Sequence, residues 1–226
     1  MLKASITDLL KDMAIPPVCV VCGKISAGSL CAECINSIKT LSRMETCSFC
    51  GIPLSAPGIR ICSACREGSF HFTSHRSYAL YTGNMKKVIR EFKYKRIYGL
   101  KDILTGFLSH VYDRYFYGKE IDLIDTVPGE HMDILAGSFS NDKKIAFAAN
   151  IMRIRDPERQ GNLGFWERKT NILDCYKLRD CLAWEGKNIL LIDDVWTTGS
   201  TLNEICLMAR RAGAKNIYLL TLARRA

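Results

Sequence analysis

The chain has 226 residues, 48% of them hydrophobic and 24% charged, and a formal net charge of +9. That length accommodates one medium α/β domain with its own core plus a small appendage, and the cationic excess favours anionic partners, either phosphate ligands or nucleic acid, without saying anything about fold. No stretch reaches the about eighteen apolar residues that cross a bilayer, and Lys3, Asp8, Lys11 and Asp12 interrupt the start where a signal peptide would be apolar. The chain is therefore expected to be cytoplasmic, with eleven cysteines serving as metal ligands and buried thiols and not as a disulfide framework.

Leu2, Ile6, Leu9, Leu10 and Met13 recur at helical spacing up to Pro16-Pro17, which predicts a short amphipathic helix. From Cys19 to Cys65 periodicity disappears and cysteine pairs take over: Cys19-x-x-Cys22, Cys31-x-x-Cys34, Cys47-x-x-Cys50 and Cys62-x-x-Cys65. A two-residue spacing lets both thiolates of a pair reach one tetrahedral ion, and Gly23 and Gly51 follow their knuckles where the backbone must turn tightly. Zinc is the expected metal, and closed four-thiolate sites make it structural. Sequential pairing joins Cys19, Cys22, Cys31 and Cys34 around one ion and Cys47, Cys50, Cys62 and Cys65 around the other; a cross-braced arrangement interleaves them. Short loops close at lower entropic cost, which favours the first. Cys175, Cys181 and Cys206 lack such spacing and read as small buried side chains.

After Gly68 the pattern changes. Residues 77–81 read as a strand, and Met85, Val88, Ile89 and Phe92 form a helical stripe. A second helix carries Leu100, Ile103, Leu104, Phe107, Leu108 and Val111; residues 121–127 read as a strand closed by Pro128-Gly129; residues 143–151 are expected to be helical. The polar stretch 153–168 is expected to be a long loop. An apolar run at 188–193, a helix at 201–212 stopped by Gly213 and a second apolar run at 217–222 make a βαβ unit of a parallel sheet covered on both faces. The expected organisation is residues 1–67 as a terminal helix plus cysteine module and 68–226 as the α/β domain, with loss of metal unfolding the first and sparing the second.

The decisive run is Ile189-Leu190-Leu191-Ile192-Asp193-Asp194-Val195-Trp196-Thr197-Thr198-Gly199-Ser200-Thr201. Two carboxylates at the carboxyl end of a buried strand stand where open α/β sheets bind ligands, and a small hydroxyl-rich loop then opens a helix. Backbone N–H groups and hydroxyls of Thr197, Thr198, Gly199, Ser200 and Thr201 suit a phosphate dianion. Asp193 and Asp194 cannot bind that phosphate, but can accept hydrogen bonds from ribose hydroxyls attached to it.

This run resembles the phosphoribosyl pyrophosphate (PRPP) motif of type I phosphoribosyltransferases. Together with Pro16-Pro17-x-Cys19-x-x-Cys22-Gly23, Tyr81-x-Gly83, Phe92-Lys93-Tyr94, the stretch from Arg153 to Asn171 and the closing Leu220-Thr221-Leu222-Ala223-Arg224, it makes most of the chain similar to the ComF family, competence-associated proteins that carry a double zinc ribbon before a phosphoribosyltransferase-like domain. The resemblance implies PRPP or ribose 5-phosphate as ligand, Mg²⁺ accompanying PRPP, Asp193 and Asp194 as the catalytic acid pair, and Arg153, Arg155 or Lys93 over the leaving group. The chain departs from the family after Val127-Pro128, where Gly129-Glu130-His131-Met132-Asp133 replaces an arginine-rich segment; Glu130 and Asp133 would repel pyrophosphate unless Lys143 and Lys144 substitute. His71, His75, His110 and His131 lie far from the motif in sequence and read as structural.

Two functions follow. One is phosphoribosyl transfer to an amine or base. The other is a non-catalytic role in DNA uptake, with single-stranded DNA held by Arg76, Lys86, Lys87, Arg90, Lys93, Lys95, Arg96 and Lys101 interleaved with Tyr78, Tyr81, Phe92, Tyr94 and Tyr98, and with a competence helicase as partner of the zinc ribbon. Metal analysis of the purified protein is expected to return about two zinc ions per chain. A value near zero in protein never exposed to chelator excludes the metal module.

Overall fold

The computed structural model describes residues 17–56, 58–68, 70–155 and 175–226. The helix expected before Pro16 and most of the stretch from 153 to 168 lie outside the described residues.

Two short helices belong to the cysteine-rich part, α1 (Ala32–Asn36) and α2 (Ser63–Glu67). The remaining elements are β1 (Ser74–Leu80), α3 (Gly83–Tyr94), α4 (Lys101–Tyr115), β2 (Leu123–Thr126), α5 (Glu130–Lys143), β3 (Ala146–Phe147), β4 (Ile151–Arg153), β5 (Tyr176–Leu178), β6 (Asn188–Trp196), α6 (Ser200–Arg211) and β7 (Asn216–Arg224). Strands β1-β7-β6-β2-β3 form a five-stranded sheet in which every pairing is parallel, while β4 and β5 pair antiparallel beside it. This is the expected α/β architecture, a parallel sheet with helices on both faces preceded by a cysteine-rich module.

Alternation along β6 explains why both faces are covered. Leu190 and Ile192 join one core with Met85, Val88, Ile89 and Phe92 of α3, Leu104 and Leu108 of α4, and Leu135 and Phe139 of α5. Ile189 and Leu191 point the other way, into a core with Leu202, Ile205, Cys206 and Ala209 of α6.

The cysteine-rich part reaches both cores. Cys19 and Cys34 are buried with the first, and Cys47 and Cys50 with the second. Between them the chain runs along β1, whose outer side has no strand neighbour within the sheet. Thr40 forms an antiparallel bridge with Ala79, and the N–H groups of Leu80 and His75 donate to the carbonyls of Lys39 (3.0 Å) and Phe49 (2.8 Å). An edge strand that would otherwise offer unpaired donors and acceptors is thereby closed.

One sequence expectation is corrected. Residues 143–151 are not helical: the helix lies upstream as α5, with Met132, Leu135, Ala136 and Phe139 buried at i, i+3, i+4 and i+7. It stops at Lys144 in the left-handed region (φ 56°), and Ala146–Phe147 then pairs with β2 because that sheet edge supplies hydrogen-bond partners. Separability of the cysteine-rich part conflicts with the shared cores and the covered edge. Removing metal with a chelator is therefore expected to lower the midpoint of one cooperative unfolding transition, followed by scanning calorimetry; a parent-like second transition surviving metal removal would show the parts to be independent.

Candidate functional site

The sulfurs of Cys19, Cys22, Cys31 and Cys34 lie within 4.8 Å of one another, as do those of Cys47, Cys50, Cys62 and Cys65. Pairing is thus sequential. A tetrahedral zinc ion with Zn–S bonds of about 2.3 Å separates its sulfurs by about 3.8 Å, and Cys22–Cys31 and Cys50–Cys62 are each 3.8 Å apart. Both donor sets fit structural zinc, with no position open to substrate.

The acid pair stands towards the carboxyl end of β6, immediately beyond the point where the neighbouring β2 stops, Thr126 lying opposite Ile192. Successive residues of β6 face opposite sides, so Asp194 points towards α3 and α5 while Asp193 faces β4 and β5. Lys93 Nζ donates to Asp194 Oδ2 at 2.6 Å, and His131 Nε2 donates to the same oxygen at 3.1 Å. Burial alone would raise the Asp194 carboxyl; the His131 hydrogen bond and the Lys93 charge outweigh it and hold it below the usual carboxylate range. For Lys93 the balance is similar: burial would lower the ammonium, but the charge and hydrogen bond of Asp194 raise it above its ordinary value. Burial first, then the neighbouring Asp194 charge, pushes Asp193 up to about 8, against the N–H of Asp194 and the charges of Lys93 and Arg153.

Gly199 has φ 76°, and a Cβ there would sit 2.1 Å from the Trp196 ring, so both conformation and space require glycine. Thr197, Gly199, Ser200 and Thr201 line a hollow of about 40 Å³ with Asp193 and Trp196. Thr198 is exposed, its hydroxyl 2.9 Å from that of Ser200. A larger cavity of about 400 Å³ shares Asp193, Val195, Thr197 and Thr201 with the hollow and adds Asp194, Lys93, Tyr81 and Arg153.

Arg153 reaches this cavity because β4 is anchored from below. Asp125 of β2 accepts the N–H of Asn150 at 2.9 Å, and Asn150 exchanges hydrogen bonds with the backbone of Asp180. The guanidinium then lies 5.9 Å from the Tyr176 ring centre and donates to the Pro128 carbonyl. Arg155 instead approaches the sulfur of buried Cys175, at 3.9 Å, and does not line the cavity.

His131 is the site residue the sequence did not disclose. Its distance along the chain from the motif hid it; a signal was nevertheless present, because it follows the Val127-Pro128 strand end in the first turn of a helix whose apolar stripe is regular. Glu130 is ion-paired with Arg96 at 3.0 Å, so its charge is partly matched. Lys143 lies at the other end of α5, bonded to Asp113 at 2.8 Å and near Asp142 at 3.3 Å, and cannot serve the acid pair.

Residues 10–67 match the family profile of the double zinc ribbon domain. The DNA utilization protein YhgH of Salmonella typhimurium is 24% identical over 229 residues, covering 94% of this chain and 99% of its own length. The competence protein ComFC of Streptococcus pneumoniae is 25% identical over 201 residues, covering 86% of this chain and 87% of its own. The chain is thus similar to these competence and DNA-utilization proteins along most of its length, and its N-terminal part matches a double zinc ribbon. Among solved structures, the allosteric regulatory enzyme of purine biosynthesis aligns with 52% of the chain and 24% of its own at 20% identity and a TM-score of 0.39.

In this chain the basic segment divides between core and surface. Phe92 is 1% exposed, and withdrawing it would cost about 1.5–3 kcal/mol, as much as the about 1–3 kcal/mol a stacked base returns. Tyr94, 70% exposed, remains available beside Lys86, Lys87, Arg90 and Lys95 in a shallow groove. Among the described residues no helix is long and apolar enough to cross a membrane.

The raised carboxyl of Asp193 has a stability signature. Its folded value of about 8 exceeds its ordinary 3.8, so the native state holds a proton that the unfolded chain releases, and stability falls as pH rises through that window. Thermal melts of the parent and of Asp193→Asn are expected to diverge between pH 5 and about 8, the parent losing more, and to run parallel above it. Parallel curves throughout would place an ordinary carboxylate at this position.

Proposed function

We propose that the carboxyl edge of the sheet binds a 5-phosphorylated ribose, PRPP or ribose 5-phosphate, and that the chain transfers the phosphoribosyl group to an amine or base. The observation that carries this reading is the junction of β6 and α6, where an acid pair lies directly before a loop whose glycine is left-handed and sterically obligatory. The 5-phosphate is assigned to the hollow formed by Thr197, Gly199, Ser200 and Thr201 with Thr198 at its rim, and the ribose hydroxyls to Asp193 and Asp194.

In transfer, the C1–oxygen bond to pyrophosphate breaks as a C1–nitrogen bond forms, and charge builds on the ribose ring and the departing pyrophosphate. The chain's part is to position and to balance that charge. Asp194 accepts from the ribose once Lys93 moves aside; Lys93 and Arg153 then face the leaving group, a task for which Arg155 is placed less well. His131 keeps Asp194 ionised. Mg²⁺ bound with PRPP would screen the pyrophosphate charge; Asp193, which lacks the Lys93 and His131 hydrogen bonds of Asp194 and would release its proton beside a dication, is the protein oxygen donor that would hold it.

A second reading is favoured by the groove along α3, which shares Tyr94 with the ribose cavity. There a single-stranded DNA would track Lys86, Lys87 and Arg90. The relatives named for competence and DNA utilization agree with it, and a competence helicase would be a partner of the zinc ribbon.

Calorimetry with PRPP and Mg²⁺, followed by a pyrophosphate-release assay across amines and nucleobases, separates the two. Turnover supports the transferase, and binding without turnover supports the non-catalytic role in DNA uptake. Asp194→Asn is expected to weaken ribose 5-phosphate about ten- to a hundredfold, corresponding to roughly 1.5–3 kcal/mol for a charge-assisted hydrogen bond, and to leave inorganic phosphate nearly unaffected. Gly199→Val is expected to impair both ligands. Equal weakening of both by Asp194→Asn overturns the assignment.

A further inference from the structure

The phosphate loop rests on an aromatic floor whose other side is the second zinc-binding cluster. The Trp196 indole fills the space beside Gly199, which is why a Cβ there would meet its ring carbons at 2.1–2.6 Å. His75 of β1 stacks on that indole, ring centres 4.4 Å apart and planes inclined by 22°. Phe72 meets it edge-on at 5.5 Å and in turn stacks on Phe49 at 4.6 Å. Phe49 lies inside the Cys47-x-x-Cys50 knuckle, and the Cys50 carbonyl accepts His75 Nδ1–H at 2.9 Å. A carbonyl can only accept, so Nδ1 carries the proton, and Nε2 accepts from Thr221 or Ser77, at 3.0 and 3.1 Å. The imidazole is completely buried and held on both edges, leaving it no freedom to rotate.

From these contacts we infer that Trp196 is the positioning residue of the phosphate loop, and that the second cysteine cluster sets its place through His75 and Phe72. Metal bound by Cys47, Cys50, Cys62 and Cys65 therefore tunes the affinity for the 5-phosphate without touching the ligand. The first cluster has no such route: among the described residues its buried cysteines pack in the core on the opposite face of the sheet. The inference rests on the proposed ribose-phosphate site. Its physical content is a continuous set of packed groups, in which a shift of the knuckle displaces the indole, and the indole displaces Gly199.

The test uses the full chain as parent, Trp196→Phe, His75→Leu and His75→Asn, with zinc content checked in each. The parent emission spectrum minus that of Trp196→Phe isolates the Trp196 signal from Trp184 and Trp166. That signal is expected to shift in His75→Leu, and an unshifted signal overturns the contact whether or not any ligand binds. In calorimetry, Trp196→Phe and His75→Leu are expected to keep their zinc and weaken ribose 5-phosphate and inorganic phosphate alike, by roughly three- to thirtyfold. His75→Asn keeps a donor for the Cys50 carbonyl but loses the stack; it is expected to fall between parent and His75→Leu, and it provides the reading if His75→Leu misfolds. Parental affinity in both Trp196→Phe and the folded His75 variant overturns the inference. A parent that binds neither ligand overturns the proposed function instead, and the emission comparison then decides the coupling alone.

Discussion

The carbonyl oxygen of Cys50 joins the metal-binding part to the sheet, accepting at once from His75 of β1 and from the guanidinium of Arg224 in β7. Arg224 is 4% exposed, and a buried guanidinium is costly unless opposite charge lies close. Burial lowers it below its ordinary value, while the charges of Cys50, Cys62 and Cys47 act in the other direction. Four thiolates around a dication leave two net negative charges, which compensate Arg224 inside and Arg76 nearer the surface, where it donates to the Ser48 and His75 carbonyls. Metal, arginine and sheet register are therefore one electrostatic arrangement. The ribbon is part of the interior and not an attachment to it.

One strand away, on β6, charge is arranged differently. Adjacent aspartates on a strand face opposite ways, and the protein gives them opposite environments. Asp194 receives two cationic or hydrogen-bonding partners from separate helices, Lys93 of α3 and His131 of α5, whereas Asp193 is left to burial and to the repulsion of its neighbour. One carboxyl is held ionised and the other inclined to keep its proton, so the two neighbours do not stand as two mutually repelling charges.

What could be read from the sequence was whatever is encoded locally. The cysteine knuckles, the β6–α6 run and the stripe of α3 each lie within a few turns of chain, and each stands where its spacing put it. Loop length favoured sequential cysteine pairing over a cross-braced one, and the sulfur positions decide between them. Features that depend on long-range packing were hidden: His131 reaches Asp194 across 63 residues and Lys93 across 101. The helix expected at 143–151 was misplaced because Lys143-Lys144 and the small residues Ala146, Ala148 and Ala149 suit a helix locally, while the free side of β2 recruits Ala146–Phe147 as a strand. The short β4–β5 pair gave no periodic signal at all, since three-residue strands are too brief to show one. Nor did composition reveal that β1 would need covering, because edge position is a property of topology.

The strand order has a consequence for the growing chain. β7 lies between β1 and β6, so β1 is complete long before the strand that will pair with its inner side exists. During synthesis its outer donors can already be met by Lys39 and Phe49, whose segments precede it and are shaped by metal. A nascent chain that has captured its ions thus carries β1 on a finished template, whereas one starved of metal leaves the N–H and C=O groups on both edges of β1 unpaired while four further strands of the sheet are still to be translated. Metal supply at the ribosome, as well as in the finished molecule, then sets how much of this protein reaches its native state.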